Sequence, residues 1–107
     1  IDVIVYTGQL DLICCTSGTE AWMSKLQWPG MPVFAASTKL PLYPNASTAS
    51  TGAFFKGAAA PYQRLSMYYV MDAGHMLPAD NPVMALQMMQ RVVGLLPRPE
   101  AERHRRR

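Results

Sequence analysis

Two apolar runs dominate the pattern of the chain. Val3-Ile4-Val5-Tyr6 is unbroken, and Leu65-Ser66-Met67-Tyr68-Tyr69-Val70-Met71 is nearly so. Runs without polar alternation suit strands buried on both faces, usually in a parallel sheet with neighbours on each side. Each run ends in a turn-forming segment, Thr7-Gly8 before Gln9-Leu10-Asp11 and Asp72-Ala73-Gly74 before His75. A helix is predicted after each. For the first, Ser17-Gly18-Thr19-Glu20 has the S-x-x-E form of a capping box, Trp22 and Leu26 lie one turn apart on the expected buried face, and Pro29-Gly30 is the expected stop. For the second, Asp80 or Asn81 is the cap and Pro82 the first helical residue. Its polar stripe, Gln87, Gln90, Arg91 and Gly94, predicts one wet edge, with Val83, Ala85, Leu86, Met89, Val92 and Val93 packed, and Pro97 and Pro99 end it. Residues 31–64 hold only short apolar patches, Val33-Phe34 and Phe54-Phe55, and predict a loose excursion.

Strand and helix alternate, so the fold class is α/β. The neighbours of both apolar strands are not expected within the chain, and the first strand opens almost at Ile1 without a leader segment. The chain therefore reads as a piece of a larger domain, incomplete on its own. With 107 residues, half of them hydrophobic and 16% charged, it is too apolar for disorder. No apolar run reaches the roughly 20 residues of a membrane helix, so no membrane role is expected. The net charge of +3 is uneven, because Arg98, Arg103, Arg105, Arg106 and Arg107 cluster at the end with Glu100 and Glu102. The rest balances, which argues against nucleic-acid binding outside the tail. That tail would meet phosphates or stay solvated. Cys14 and Cys15 are adjacent and supply neither an ordinary disulfide framework nor a four-ligand zinc site, so no metal is expected. Asn45-Ala46-Ser47 has the form of a glycosylation acceptor and favours a secreted or lysosomal route.

In a parallel α/β sheet, functional groups gather just past the carboxyl ends of the strands, where Asp11 and His75 both fall. An aspartate bonded to one ring nitrogen fixes a histidine's tautomer and leaves the other nitrogen free as a general base. The same residues singly would be a turn former and a structural histidine.

Longer motifs bear on that choice. Tyr6-Thr7-Gly8-Gln9-Leu10-Asp11-Leu12-Ile13-Cys14, continuing to Thr19-Glu20-Ala21-Trp22, resembles the aspartate segment of the serine carboxypeptidases, and Ala73-Gly74-His75-Met76-Leu77-Pro78-Ala79-Asp80 resembles their histidine segment. The wording is closest to the lysosomal, retinoid-inducible type within that family. The resemblance implies the C-terminal segment of an α/β-hydrolase fold, its last parallel strands with their covering helices, over residues 1–94, followed by a basic, disordered tail over 95–107. It implies Asp11 as triad acid and His75 as triad base, in the order Ser, Asp, His. It implies Met76 at the pocket for the departing residue, Cys14 beside the substrate, peptide C-termini as substrate, a lysosomal, vacuolar or secreted location, and no cofactor. No G-x-S-x-G elbow occurs in these residues, so an upstream segment or chain is the expected source of the nucleophile. A truncated, non-catalytic paralogue acting by association is the alternative. Cys15 departs from the family's usual Asp or Asn and reads as a small buried hydrophobe.

Overall fold

The computed structural model describes residues 2–44, 50–60 and 63–99. Four strands, β1 (Asp2–Gly8), β2 (Leu40–Leu42), β3 (Ala53–Ala60) and β4 (Gln63–Val70), form one mixed sheet in the order β1-β4-β3-β2. Both apolar runs become strands, and they pair with each other. β1 lies parallel to β4 in the register Asp2 to Arg64 through Gly8 to Val70, while β3 is antiparallel to β4 and β2 to β3. The expectation that both strands lack neighbours is thus corrected: β4 has one on each side and β1 has one, lying at a sheet edge with Val3 and Tyr6 about half exposed. The expected loose excursion is also corrected. It contains the helix α2 (Met31–Ala36), β2 and the eight-residue β3.

The helices lie on opposite faces of the sheet. On one, Met23 of the helix α1 (Thr16–Met23) and Phe34 of α2 pack against Leu65, Met67 and Tyr69. On the other, Met84, Ala85 and Met88 of the helix α4 (Pro82–Val92), with Leu77 of the short helix α3 (Leu77–Asp80), pack against Phe55, Tyr68 and Val70. Alternation along β4 sends successive side chains to the two layers, so this strand is buried on both sides as its composition requires. Among the described residues, no helix is long and apolar enough to cross a membrane.

Three helix details differ from expectation. The Ser17–Glu20 capping box does not form, because α1 starts at Thr16 with Cys15 in the cap position and no side-chain cap bond, and the Glu20 carboxylate acts instead on the Tyr69 hydroxyl. The buried face of α1 is Thr19 and Met23; Trp22 is 49% exposed, and the helix ends at Met23, before Pro29. On α4 the outward face is apolar: Val83, Leu86, Met89 and Val93 are exposed while Arg91 is buried. That helix stops before its prolines. Gly94, at φ 85°, lets its own N–H reach the Arg91 carbonyl and the Leu95 N–H reach that of Gln90, the reciprocal closure that a left-handed residue makes possible. Beyond it, Arg98 pairs with Asp2 at 3.5 Å. Asn45 and residues 100–107 of the tail lie outside the described residues.

Candidate active site

The carboxyl ends of β1 and β4 are adjacent because the two strands are parallel neighbours, so the loops that follow them meet. The ladder continues past the strands: the Gln9 N–H donates to the Val70 carbonyl at 2.8 Å and the Leu10 N–H to that of Ala73 at 2.9 Å. Gly8 makes this approach possible. A Cβ there would stand 2.4 Å from both the Ala73 and Gly74 carbonyl oxygens, well inside van der Waals contact with backbone that cannot swing aside.

This meeting of loops brings Asp11 and His75, 64 residues apart, into a hydrogen bond of 3.0 Å between Asp11 Oδ2 and His75 Nδ1. The Asp11 side chain is 7% exposed and that of His75 is 55% exposed. The other aspartate oxygen, Oδ1, accepts the N–H groups of Ile13 and Cys14 at 3.0 Å each, closing the loop around the carboxylate. These bonds, led by that from Cys14 and aided by His75, outweigh burial and hold the Asp11 carboxyl below its ordinary value. An ionised carboxylate only accepts, so the proton between the two groups sits on Nδ1, and in the neutral ring the second nitrogen keeps its lone pair.

The pair lines a cavity of about 360 Å³ with Tyr6, Thr7, Gly8, Cys14, Thr19 and Trp22 among its walls. Cys14 is exposed, and its sulfur joins Asp11 and His75 in a cluster whose potential ligand atoms lie within 4.8 Å of one another. Both Asp11 oxygens already have partners, which suits an acid–base pair better than a preformed ion site. Met76 follows His75 and is 66% exposed. Cys15 is exposed, against the expectation of a buried hydrophobe. The N–H of Gly18, in the first turn of α1, and the Ser17 hydroxyl hold its thiol below the ordinary value.

Sequence reasoning missed what holds the histidine loop. Asp80 Oδ2 accepts the Gly74 N–H at 2.8 Å, and Asn81 Nδ2 donates to the Met71 carbonyl at 2.9 Å. Asn81 was legible as a helix cap, and it does accept the Met84 N–H at 3.3 Å. Asp80 carried the same cap signal but faces the loop.

A buried carboxylate is thus hydrogen-bonded to a half-exposed imidazole just past the ends of two adjacent parallel strands of an α/β sheet. The serine carboxypeptidase family profile matches residues 1–94, and the chain belongs to that family, which carries the α/β-hydrolase fold with it. The chain is 46% identical over 92 residues to the retinoid-inducible serine carboxypeptidase of Homo sapiens, covering 86% of this chain and 20% of that protein. It is 42% identical over 89 residues to serine carboxypeptidase-like 51 of Arabidopsis thaliana, covering 83% and 18%. A serine carboxypeptidase-like protein of Pisum sativum is 38% identical over 90 residues, covering 84% and 29%. The chain thus spans about a fifth of the length of the first two relatives.

Proposed function

We propose that this chain supplies the acid and the base of a serine carboxypeptidase active site that removes residues from peptide C-termini. The observation that carries the reading is the 3.0 Å bond from His75 Nδ1 to Asp11 Oδ2 on a sheet of the matching family. Asp11 fixes the Nδ1–H tautomer and stabilises the imidazolium. His75 Nε2 takes the proton from a serine hydroxyl as it attacks the scissile carbonyl, then gives it to the departing amine. The serine and the oxyanion donors come from sequence outside these 107 residues, because no G-x-S-x-G elbow occurs within them. Water then attacks the acyl-enzyme ester, giving a proton to His75 Nε2 that returns to the serine oxygen as the peptide acid leaves, so hydrolysis is complete without a metal or organic cofactor.

Met76 and Cys14, exposed beside the pair, suit the walls of the pocket for the departing residue, where a flexible thioether adapts to varied side chains. A lysosomal, vacuolar or secreted route, with Asn45 as a glycan acceptor, accords with the Asn45-Ala46-Ser47 triplet. The test is substitution in the enzyme that includes the serine elbow. His75→Ala and Asp11→Asn both collapse kcat on a blocked dipeptide, with a smaller change in KM, the aspartate by about 10⁴-fold. Near-normal kcat for Asp11→Asn would remove Asp11 from the role of triad acid. An enzyme whose upstream sequence lacks a serine elbow would favour the non-catalytic paralogue instead.

A further inference from the structure

The segment Met71–Gly74 leads from β4 directly into His75, and its Asp72 sits in the left-handed region at φ 54°. Its first residue is tied by its N–H to the Gly52 carbonyl at 3.0 Å, and its middle by the Ala73 carbonyl to the Leu10 N–H at 2.9 Å. The two groups that bracket it, the Met71 carbonyl and the Gly74 N–H, are taken by side chains of consecutive residues. Asn81 Nδ2 donates to the first at 2.9 Å, and Asp80 Oδ2 accepts from the second at 2.8 Å. Asn81 also caps α4, whose Met84, Ala85 and Met88 are rooted in the core. The histidine loop is therefore gripped at both ends from the junction of α3 and α4, two helices that pack against the sheet.

We propose that Asp80 and Asn81 are positioning residues for His75, holding the loop so that the imidazole meets Asp11 in the productive orientation. The inference rests on the acid–base reading of Asp11 and His75. The Gly74 bond is the critical one, because Gly74 is the residue immediately before the histidine. A bond from an N–H to a charged carboxylate is stronger than one between neutral groups. Without it, Gly74 and His75 can pivot about the Ala73 anchor. A shift of about 1 Å at a reacting group costs about 10²-fold in rate.

The experiment uses the enzyme with its complete domain and measures kcat, KM and thermal midpoint for four variants. Asp80→Ala removes the acceptor, whereas Asp80→Asn keeps an oxygen in place. Asn81→Asp keeps a good helix cap but has no N–H for the Met71 carbonyl. Asp80→Ala and Asn81→Asp lower kcat by about 10²-fold at nearly constant KM. Asp80→Asn restores most of the loss, and Asn81→Asp keeps the parental midpoint. If Asp80→Ala does not fold, Asn81→Asp and Asp80→Asn decide the matter. Turnover by Asn81→Asp within about threefold of the parent, or an Asp80→Asn loss of about 10²-fold, overturns the inference. His75→Ala separates the two levels: an active His75→Ala overturns the acid–base reading and the inference together. An inactive one beside normal Asp80→Ala and Asn81→Asp overturns the inference alone.

Discussion

Replacing Gly8 by alanine perturbs the histidine site without touching a titratable group. The added methyl would lie 2.4 Å from two carbonyl oxygens, those of Ala73 and Gly74, and 2.7 Å from the Ala73 carbonyl carbon. All three are backbone atoms, so the loops must part by about 0.6 Å to reach even a tight contact near 3.0 Å. The same movement carries the Asp11–His75 bond from 3.0 Å to about 3.6 Å, outside hydrogen-bonding range. Forcing a methyl into packed space costs about 1–3 kcal/mol. The backbone bonds from Gln9 and Leu10, which lie just beyond Gly8, are worth about 1 kcal/mol each if lost. Scaling the positional cost of about 10²-fold per ångström, kcat falls more than about tenfold. The assay is hydrolysis of a blocked dipeptide by the enzyme bearing the serine elbow, with the His75 ring-nitrogen shifts reporting the tautomer. Gly18→Ala is the control, since its methyl meets only the Cys15 sulfur, at 3.3 Å. A Gly8→Ala enzyme with parental kcat and an unchanged Nδ1–H tautomer would refute the reasoning.

Other outcomes follow from separate features. The purified 107-residue chain shows no dipeptide hydrolysis above background; turnover that a serine-directed phosphonate blocks would overturn this, because no serine elbow lies in the sequence. Burial first, and then Glu20, push the Tyr69 hydroxyl up to about 12. Its folded value exceeds the unfolded one of 10, so its contribution to stability is complete below pH 10 and is lost as pH rises toward about 12. Absorbance titration of the phenols shows a late component that is lost in Tyr69→Phe; an unchanged late component in that variant would contradict it. Alkylation followed by mass spectrometry finds Cys15 reacting at lower pH than an unstructured cysteine, because the start of α1 favours its thiolate. Equal pH dependence before and after unfolding would show that the helix has no such effect.

How much of this was legible depends on what competed with each local signal. β1 and β4 announce themselves because a run without polar alternation has few other uses. β3, with the sequence Ala-Phe-Phe-Lys-Gly-Ala-Ala-Ala, does not, since Ala and Gly favour no strand and pairing with β2 and β4 imposes one. Glu20 has the spacing of a capping residue, yet α1 begins at Thr16, which puts Ser17 inside the helix rather than at its cap. On α4 the polar and apolar stripes are both real, but the periodicity does not say which side meets the sheet, and Val83, Leu86, Met89 and Val93 face outward. Asp11 and His75 were readable as neighbours because each lies in the loop that follows an apolar strand, β1 ending at Gly8 and β4 at Val70. The grip of Asp80 and Asn81 was not, since the same letters serve equally well to start a helix.

The close approach at Gly8 also divides the chemistry by origin. The bonds that set the imidazole's tautomer and hold the carboxylate ionised all lie between Gly8 and Asn81, within a block welded by two adjacent parallel strands. The electronic character of His75 is therefore a local property, inherited by whatever larger architecture carries the block. What Nε2 meets is the part that the block does not contain. A cut or a graft elsewhere in the polypeptide would leave the Nδ1–H assignment as it is, because Asp11 alone fixes it.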